Sequence, residues 1–516
     1  MAHTPPPLTG RTAAAAAPAP ARTVRPGPIL AVTSLALGVV VSAMASLNVA
    51  LPDMAIASGA DQTQQSWIID AYSLVFAALL LPAGALGDRF GRRRALIIGL
   101  AIYGVAAVGA ALASGPDMLI ALRAVMGFGA ALVMPATLST ITSTFAPERR
   151  SRAVSIWAAV AGASGVIGML ASGLLLERWS WPSVFWFNAG VVTVALVGAL
   201  VLVPESAEPG APRIDVVGAV LAAAGVAALV YAVIEAPVNG WTSALTLAGL
   251  GAGVALIAGF VTWEFTREHP LLDPRLFGNR HFAAGALSLT MQFFALFGFM
   301  FVLMQYLQLV RGDSALQAAV SLLVMPFGMV PASRLSPWLS ERFGVPGPWT
   351  LGLLALGVGL AVLSQLDAAS SYPAIAAGLI PLGAGLGLAM PPATTAITDA
   401  VPPRLQNVAS AVNDLARELG GALGIAVLAS ILNGVYRAQL HLPAVPDAVA
   451  DAARSSFTAA AKIGDPVIEP ARAAFTEGLN AALLGASGVA FAAAVAVAVL
   501  LGRQRSRTEQ SVIDQE

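Results

Sequence analysis

Residues 84–94 read GALGDRFGRRR, which sets Asp88, Arg89, Arg92, Arg93 and Arg94 within seven residues of an otherwise sparsely charged chain. The flanks are almost uncharged for about twenty residues on each side, the length a helix needs to cross the roughly 30 Å hydrocarbon layer of a bilayer. A charge knot between two such runs reads as a loop between two membrane helices.

Composition extends that reading to the whole chain. Of its 516 residues 57% are hydrophobic and 11% charged, far from the globular norm of about a quarter charged, so the chain is expected to be an integral membrane protein. Its formal net charge is zero and no basic stripe exists outside short loops, which argues against nucleic acid as a partner. Cysteine is absent, excluding disulfides, thiolate metal sites and a cysteine nucleophile. The scattered His3, His269, His281 and His441 argue against a metal centre, and no GxxxxGK[ST] segment is available for ATP. No cofactor is expected; the energy source would be the proton gradient. Residues 1–28, rich in Pro and Ala with Arg11, Arg22 and Arg25, read as a disordered cytoplasmic tail.

Fourteen apolar runs are long enough to span, at 29–50, 67–87, 95–114, 118–144, 153–176, 183–203, 214–235, 242–263, 281–309, 315–339, 348–366, 372–397, 408–432 and 477–501. The fold class is therefore all-α integral membrane. Arginines of the knot fall on the same side as Arg149, Arg150, Arg152, Arg213, Arg267, Arg275, Arg280, Arg342, Arg404, Arg503, Arg505 and Arg507. The other side has Arg178, Arg311, Arg437, Arg454, Lys462 and Arg472, four of them in the one long loop. The positive-inside rule puts the first set in the cytoplasm, with both termini, in a multi-pass protein of the plasma membrane.

The chain also repeats itself. SERFG at 340–344 echoes GDRFG at 87–91, PAT at 135–137 recurs at 392–394, and RAVSIW from 152 faces NVASAV at 407–412, with offsets between 253 and 257. A near-constant offset implies two pseudo-symmetric six-helix bundles, 29–203 and 281–502, separated by two inserted helices and a linker at 204–280. An external loop is expected at 434–475 and a cytoplasmic tail at 503–516.

These residues resemble the Major Facilitator Superfamily, specifically its fourteen-helix drug:proton antiporter branch. GALGDRFGRRR is similar to the superfamily's loop between helices 2 and 3, and LIALRAVMGFGAALVMP at 119–135 to its fourth helix with a membrane arginine. LNVALP at 47–52, WIIDAYSL at 67–74, HPLLDPRLF at 269–277 and SAVNDLARELGGALG at 410–424 resemble branch-level features. Three positions depart: Ala43 stands where the branch has a first-helix Asp, and Met169 and Ser172 stand at a Pro and a Gly position of the antiporter motif in the fifth helix.

The resemblance implies proton coupling through the fourth-helix Arg123. Asp70 and Arg123 lie about four and five residues into their spans from one side, hence at a similar depth of roughly 6–8 Å. Two readings stand open: Asp70 titrates under the control of Arg123, or the two form a permanent ion pair that locks the helices. In span 13, Asn413, Asp414, Arg417 and Glu418 follow one another so that one arginine faces two carboxylates, which suits either a proton carrier or an inward gate. Gly84, Gly87, Asp88, Arg89, Gly91 and Arg92 resemble the superfamily's cytoplasmic latch, and Glu341 and Arg342 stand at the repeated positions without the following arginines, predicting a weaker second latch. Phe294, Phe301, Gln305 and Gln308 of span 9, with Asn48 and Asn413, are candidates for a substrate cavity. The glycine-rich runs GASGVIG and GGALG read as helix-packing surfaces.

The function these features imply is export of lipophilic or cationic drugs or secondary metabolites by alternating access, by a monomer in contact with membrane lipids. The alternatives are a lipid, a lipid-linked precursor or an imported solute as cargo, and more remotely a lipid-modifying enzyme, for which the scattered histidines offer no clustered site.

Overall fold

The computed structural model describes residues 26–58, 62–205, 215–268, 270–402, 405–455 and 457–513, and among them there are helices and no strand. Fourteen of these helices are long and apolar enough to cross a membrane. The first six spans are α1 (Pro26–Ser58), α2 (Gln62–Phe90), α3 (Arg92–Ala111), α4 (Pro116–Thr144), α5 (Pro147–Leu176) and α6 (Pro182–Leu202). The inserted pair is α7 (Val216–Asn239) and α8 (Ala244–Phe265). In the second half α9 (Arg280–Gln305) continues through a π-turn, and the tenth span joins α10 (Ala315–Ser321) to α11 (Met325–Phe343) through a 3-10 turn. Then come α12 (Pro346–Leu363), α13 (Tyr372–Asp399), α14 (Gln406–Gln439), the short α15 (Asp447–Ser455) and α16 (Phe457–Ile463), and α17 (Ile468–Ile513).

Proline starts many of these helices, as at α4, α5, α6, α12 and α13, where the missing N–H is one the first turn leaves unbonded anyway. In the first half α1 packs on α5 and α6, α2 on α4, and α3 on α4 and α6; the second half repeats this as α9 on α14 and α17, α11 on α13, and α12 on α13 and α17. The repetition reaches atomic detail. A Cβ added to Gly99 would lie 2.7 Å from the Gly129 carbonyl oxygen, and one on Gly352 would lie 2.7 Å from that of Gly385, so α3/α4 and α12/α13 cross through the same glycine contact. Gly91 and Gly344, the closing glycines of GDRFG and SERFG, both hold positive φ, at 107° and 79°.

The halves meet where α2 packs on α14 and where α5 packs on α11 and α13. The inserted α7 lies along the first of these seams: Val226 and Val230 pack with Ala77 and Leu74 of α2 and with Leu415 and Leu419 of α14.

Three expectations change. The tail expected over 1–28 falls outside the described residues up to 25, and Pro26 to Pro28 already belong to α1. The loop expected at 434–475 is shorter, because α14 runs to Gln439 and α17 starts at Ile468; it also packs, with Tyr436, Phe457 and Phe475 in edge and tilted ring contact and the Tyr436 hydroxyl donating to Ala453 O at 2.8 Å. Apolar-run counting misses this because the helices continue past the apolar boundary. Finally, helix α17 continues to Ile513 through most of the expected tail at 503–516.

Candidate transport site

The charge knot closes a contact between the halves. Asp88, at the end of α2 and only 5% exposed, accepts from Arg92 Nη2 at 3.4 Å through Oδ1 and from the backbone N–H of Val408 at 3.1 Å through Oδ2. Val408 lies in the first turn of α14, where N–H groups have no carbonyl of their own helix to bond, so a carboxylate there meets both an open donor and the positive end of the helix dipole. Gly91 lets the chain turn so that α3 starts immediately; its positive φ, 107°, is one that a residue with a Cβ adopts only under strain. Arg93 donates to Leu200 O at 2.6 Å and Arg94 pairs with Glu205 at 3.5 Å, fastening the knot to the end of α6. Nearby, Arg150 of α5 reaches Asp399 of α13 at 3.3 Å, a second tie across the halves. At the repeated positions Glu341 and Arg342 are exposed and enter no ion pair among the described residues; Arg342 lies over the Trp338 ring at 5.7 Å. Gly84 and Gly87 are buried on α2, and the Arg89 guanidinium lies 5.7 Å from the Phe90 ring.

Deeper in the first half, Arg123 of α4 is 1% exposed and stacks over Tyr72 at 4.3 Å. Its Nε donates to Ile68 O at 2.9 Å, while Nη1 and Nη2 have no hydrogen-bond partner among the described residues. The permanent Asp70–Arg123 ion pair is absent in this conformation. Arg123 instead uses a carbonyl of the helix that carries Asp70. Tyr72 is fixed in turn by donating to Val40 O of α1 at 3.1 Å.

On α14 the span-13 cluster lies at the seam between the halves, with Asn413, Asp414 and Arg417 buried and Glu418 half-buried. Asp414 Oδ1 accepts from Arg417 Nη1 at 3.4 Å and from Asn413 Nδ2 at 3.1 Å, and Oδ2 has no partner among the described residues. Arg417 therefore pairs with one carboxylate, leaving Glu418 outside the pair. Its guanidinium lies between Phe293 of α9, at 4.5 Å, and Trp157 of α5, at 5.3 Å. Trp157 belongs to the first half and donates to Thr137 Oγ1 of α4 at 3.2 Å, so a cation of one half rests on an aromatic of the other. Helix α14 also packs on α2 and α4, the helices that carry Asp70, Tyr72 and Arg123, so the two groups of ionic residues sit on neighbouring helices across the seam.

The α9 residues expected to line the cavity differ in exposure. Phe294 is buried where α9 crosses α14, its carbonyl oxygen only 2.1 Å from where a Cβ on Gly424 would stand. Phe301 is 39% exposed, Gln308 is exposed, and Gln305 is half-buried with its amide 3.5 Å from Phe301 O. Helical spacing identifies a strip but not its neighbour, and here part of the strip is taken up by α14. Of Asn48 only the helical backbone is described. The buried amide of α9 is Gln292, which donates to Ser288 Oγ at 2.9 Å beside Trp349 Nε1 of α12, which donates to the same oxygen at 2.8 Å. Sequence reasoning missed Gln292, Phe293, Tyr72 and Trp157; the signal available was the aromatic in WIIDAYSL and RAVSIW, both singled out for other reasons.

The arrangement is thus a two-bundle helical fold with buried ionic groups on both sides of one seam. The sequence profile of the Major Facilitator Superfamily matches residues 33–425, most of the chain. The chain belongs to the Major Facilitator Superfamily. Within this superfamily it is 34% identical to the multidrug efflux pump LfrA of Mycolicibacterium smegmatis over 92% of this chain and 96% of that one. It is 32% identical to the tetracenomycin C resistance and export protein of Streptomyces glaucescens, over 92% and 90%, and 31% identical to the methyl viologen resistance protein SmvA of Salmonella typhimurium, over 89% and 95%. In fold it matches the crystal structure of the human organic anion transporter MFSD10, with a TM-score of 0.62 over 92% of this chain and 99% of the other, at 13% identity.

Proposed function

We propose that this superfamily member is a proton-coupled transporter that exports lipophilic or cationic small molecules by alternating access, and not an enzyme. The observation that carries the reading is the full-length similarity to relatives named for drug efflux, antibiotic export and resistance, which extends over about nine-tenths of both chains. Energy comes from protons and not from a bound cofactor: the half-buried Asp70 in one half, and the buried Asp414 with the half-buried Glu418 in the other, are carried on helices that pack across the seam. An ionisable group within a spanning helix is costly, and the half-buried Asp70 has no ion-pair partner among the described residues.

In this reading Asp70 exchanges a proton beside the fixed cation Arg123, and the Asp414–Arg417–Glu418 cluster senses the exchange from the second half. Asp88 and Val408 hold the arginine-rich face shut, and that face is cytoplasmic, with both termini on the same side of the plasma membrane. The protein works as a monomer surrounded by lipid. Efflux from inverted vesicles across a panel of cationic and neutral compounds, with and without a protonophore, tests this. Accumulation that the protonophore abolishes is expected; accumulation insensitive to it would refute proton antiport, and no response to any drug would move the cargo to a lipid.

A further inference from the structure

Helix α11 carries two arginines on its outer side, and neither meets a carboxylate among the described residues. The buried Met325, Gly328, Met329, Ala332 and Ser336 return at helical spacing and pack on α13 and α5, with Ser336 Oγ donating to Leu388 O at 2.8 Å. On the opposite face stand Phe327, Arg334 and Trp338, all exposed, Phe327 at 76%. Large apolar side chains that a spanning helix turns away from its neighbours face lipid. Arg334 is therefore a cation on the lipid side of a span, and Arg342, also exposed, follows it by eight residues.

Arginines elsewhere at this end are engaged by the protein: Arg92 by Asp88, Arg93 by Leu200 O, Arg94 by Glu205, Arg150 by Asp399 and Arg267 by Asp215. Arg334 and Arg342 enter no hydrogen bond or ion pair among the described residues, and Glu341 pairs with neither. A lipid-facing cation without a counter-charge is costly, by about 2.5–3.5 kcal/mol on insertion scales at the centre of a span, and near the interface a lipid phosphate is the counter-charge at hand. Trp338 marks that interface, since an indole settles where its ring meets lipid and its N–H meets water. Arg334 lies four residues deeper and Arg342 four residues shallower, about 6 Å each way along the helix and within reach of an extended arginine side chain. The two guanidiniums thus bracket one level, and Arg342 is held toward it by lying over the Trp338 ring, 5.7 Å from its centroid.

We infer that Arg334, Trp338 and Arg342 form a binding site for the headgroup of an anionic phospholipid, in the leaflet on the arginine-rich side. The lipid phosphate accepts from both guanidiniums at the level of the indole, and the acyl chains lie along the exposed Leu335 and Phe327. Two arginines call for a net negative headgroup, which phosphatidylglycerol supplies and zwitterionic phosphatidylcholine does not. The site uses SERFG, the second copy of the loop motif, where the latch made by the first copy is missing. It fastens the end of α11, the helix of the second half that packs on α5 across the other seam.

Native mass spectrometry of the delipidated full-length protein in detergent, titrated with phosphatidylglycerol, reads the affinity of the first lipid adduct. Each arginine near an anionic headgroup contributes about fivefold, so Arg334→Gln and Arg342→Gln should each weaken that adduct about fivefold and the double variant roughly 25-fold. Arg178→Gln, which removes one exposed charge just past the other end of α5, should bind like the parent. Phosphatidylcholine should bind weakly and equally to all of them. Equal affinity for phosphatidylglycerol in the parent and the double variant would overturn the site. So would an equal loss in Arg178→Gln, or phosphatidylcholine bound by the parent as tightly as phosphatidylglycerol. Should Arg334→Gln fail to fold, Arg342→Gln, at the exposed helix end, decides the matter alone.

Discussion

Removing the Asp88 carboxylate should loosen one face of the protein and leave the rest assembled. In Asp88→Ala the hydrogen bond from the Val408 N–H disappears, and with it the charge at the first turn of α14. A hydrogen bond to a charged group contributes roughly 1.5–3 kcal/mol, and a charge at a helix terminus about 0.3–1 kcal/mol. The Arg92 contact lies within the first half and persists whether the halves are apart or together, so it cancels from the difference. Taking about 2 kcal/mol for the contact across the halves, the ratio of closed to open molecules on the arginine-rich face should fall roughly 30-fold. Because the chain has no cysteine, spin labels can be introduced by Phe90→Cys and Phe343→Cys, both at exposed ends of helices flanking that face. Double electron–electron resonance should show a longer-distance population growing in the Asp88→Ala background, with slower turnover and unchanged membrane insertion. Identical distance distributions and normal turnover would refute the latch and reduce GALGDRFGRRR to a topology signal.

The second latch should matter little: Glu341→Ala, at an exposed position, is expected to leave turnover within roughly twofold of the parent in the vesicle assay. Arg417→Leu strands the buried Asp414 and should cost about 3–5 kcal/mol, read as a lowered melting temperature of the solubilised protein. Arg417→Lys should lose less, because it keeps the charge but not the flat guanidinium between Trp157 and Phe293. Gly424→Ala forces a methyl to within 2.1 Å of the Phe294 carbonyl oxygen and is expected to destabilise by about 1–3 kcal/mol, whereas Gly488→Ala, with nothing within 4 Å, should melt like the parent.

The spans were legible because each needs a long apolar run and the bilayer fixes its length; Pro116–Thr144 and Tyr372–Asp399 fall within two residues of the sequence-read limits. The repeat was legible because glycine at a left-handed turn, as at Gly91 and Gly344, tolerates few replacements. What the sequence hid were the partners. Helices apolar nearly all round have no polar face to mark which side meets a neighbour, so nothing in span 4 indicated that Arg123 would donate to Ile68 O in preference to pairing with Asp70. The same blindness left Trp157 and Phe293 unread as the bed of Arg417, and broke the α9 stripe into a buried Phe294 and an exposed Phe301. The break in the tenth span, where a 3-10 turn precedes Pro326, was lost inside an uninterrupted apolar run.

Helices α2 and α14 carry, between them, almost every group that bears on mechanism. Each has an ionic residue deep in the span, Asp70 on one and Asp414 with Glu418 on the other, and each ends in one half of the Asp88–Val408 contact. Val408 and Asp414 are six residues apart on one helix, about 9 Å, a distance over which a helix transmits displacement nearly rigidly. Within α2, Pro82 lies between Asp70 and Asp88, so that helix has a point at which its two ends can move apart. A change of charge at Glu418 or Asp414 therefore acts directly on the start of α14, whereas one at Asp70 must pass Pro82 to reach Asp88. Release of the latch is then expected to follow a charge change in the second half more tightly than one in the first, and both α4, which bears Arg123, and α7 pack against α2 and α14.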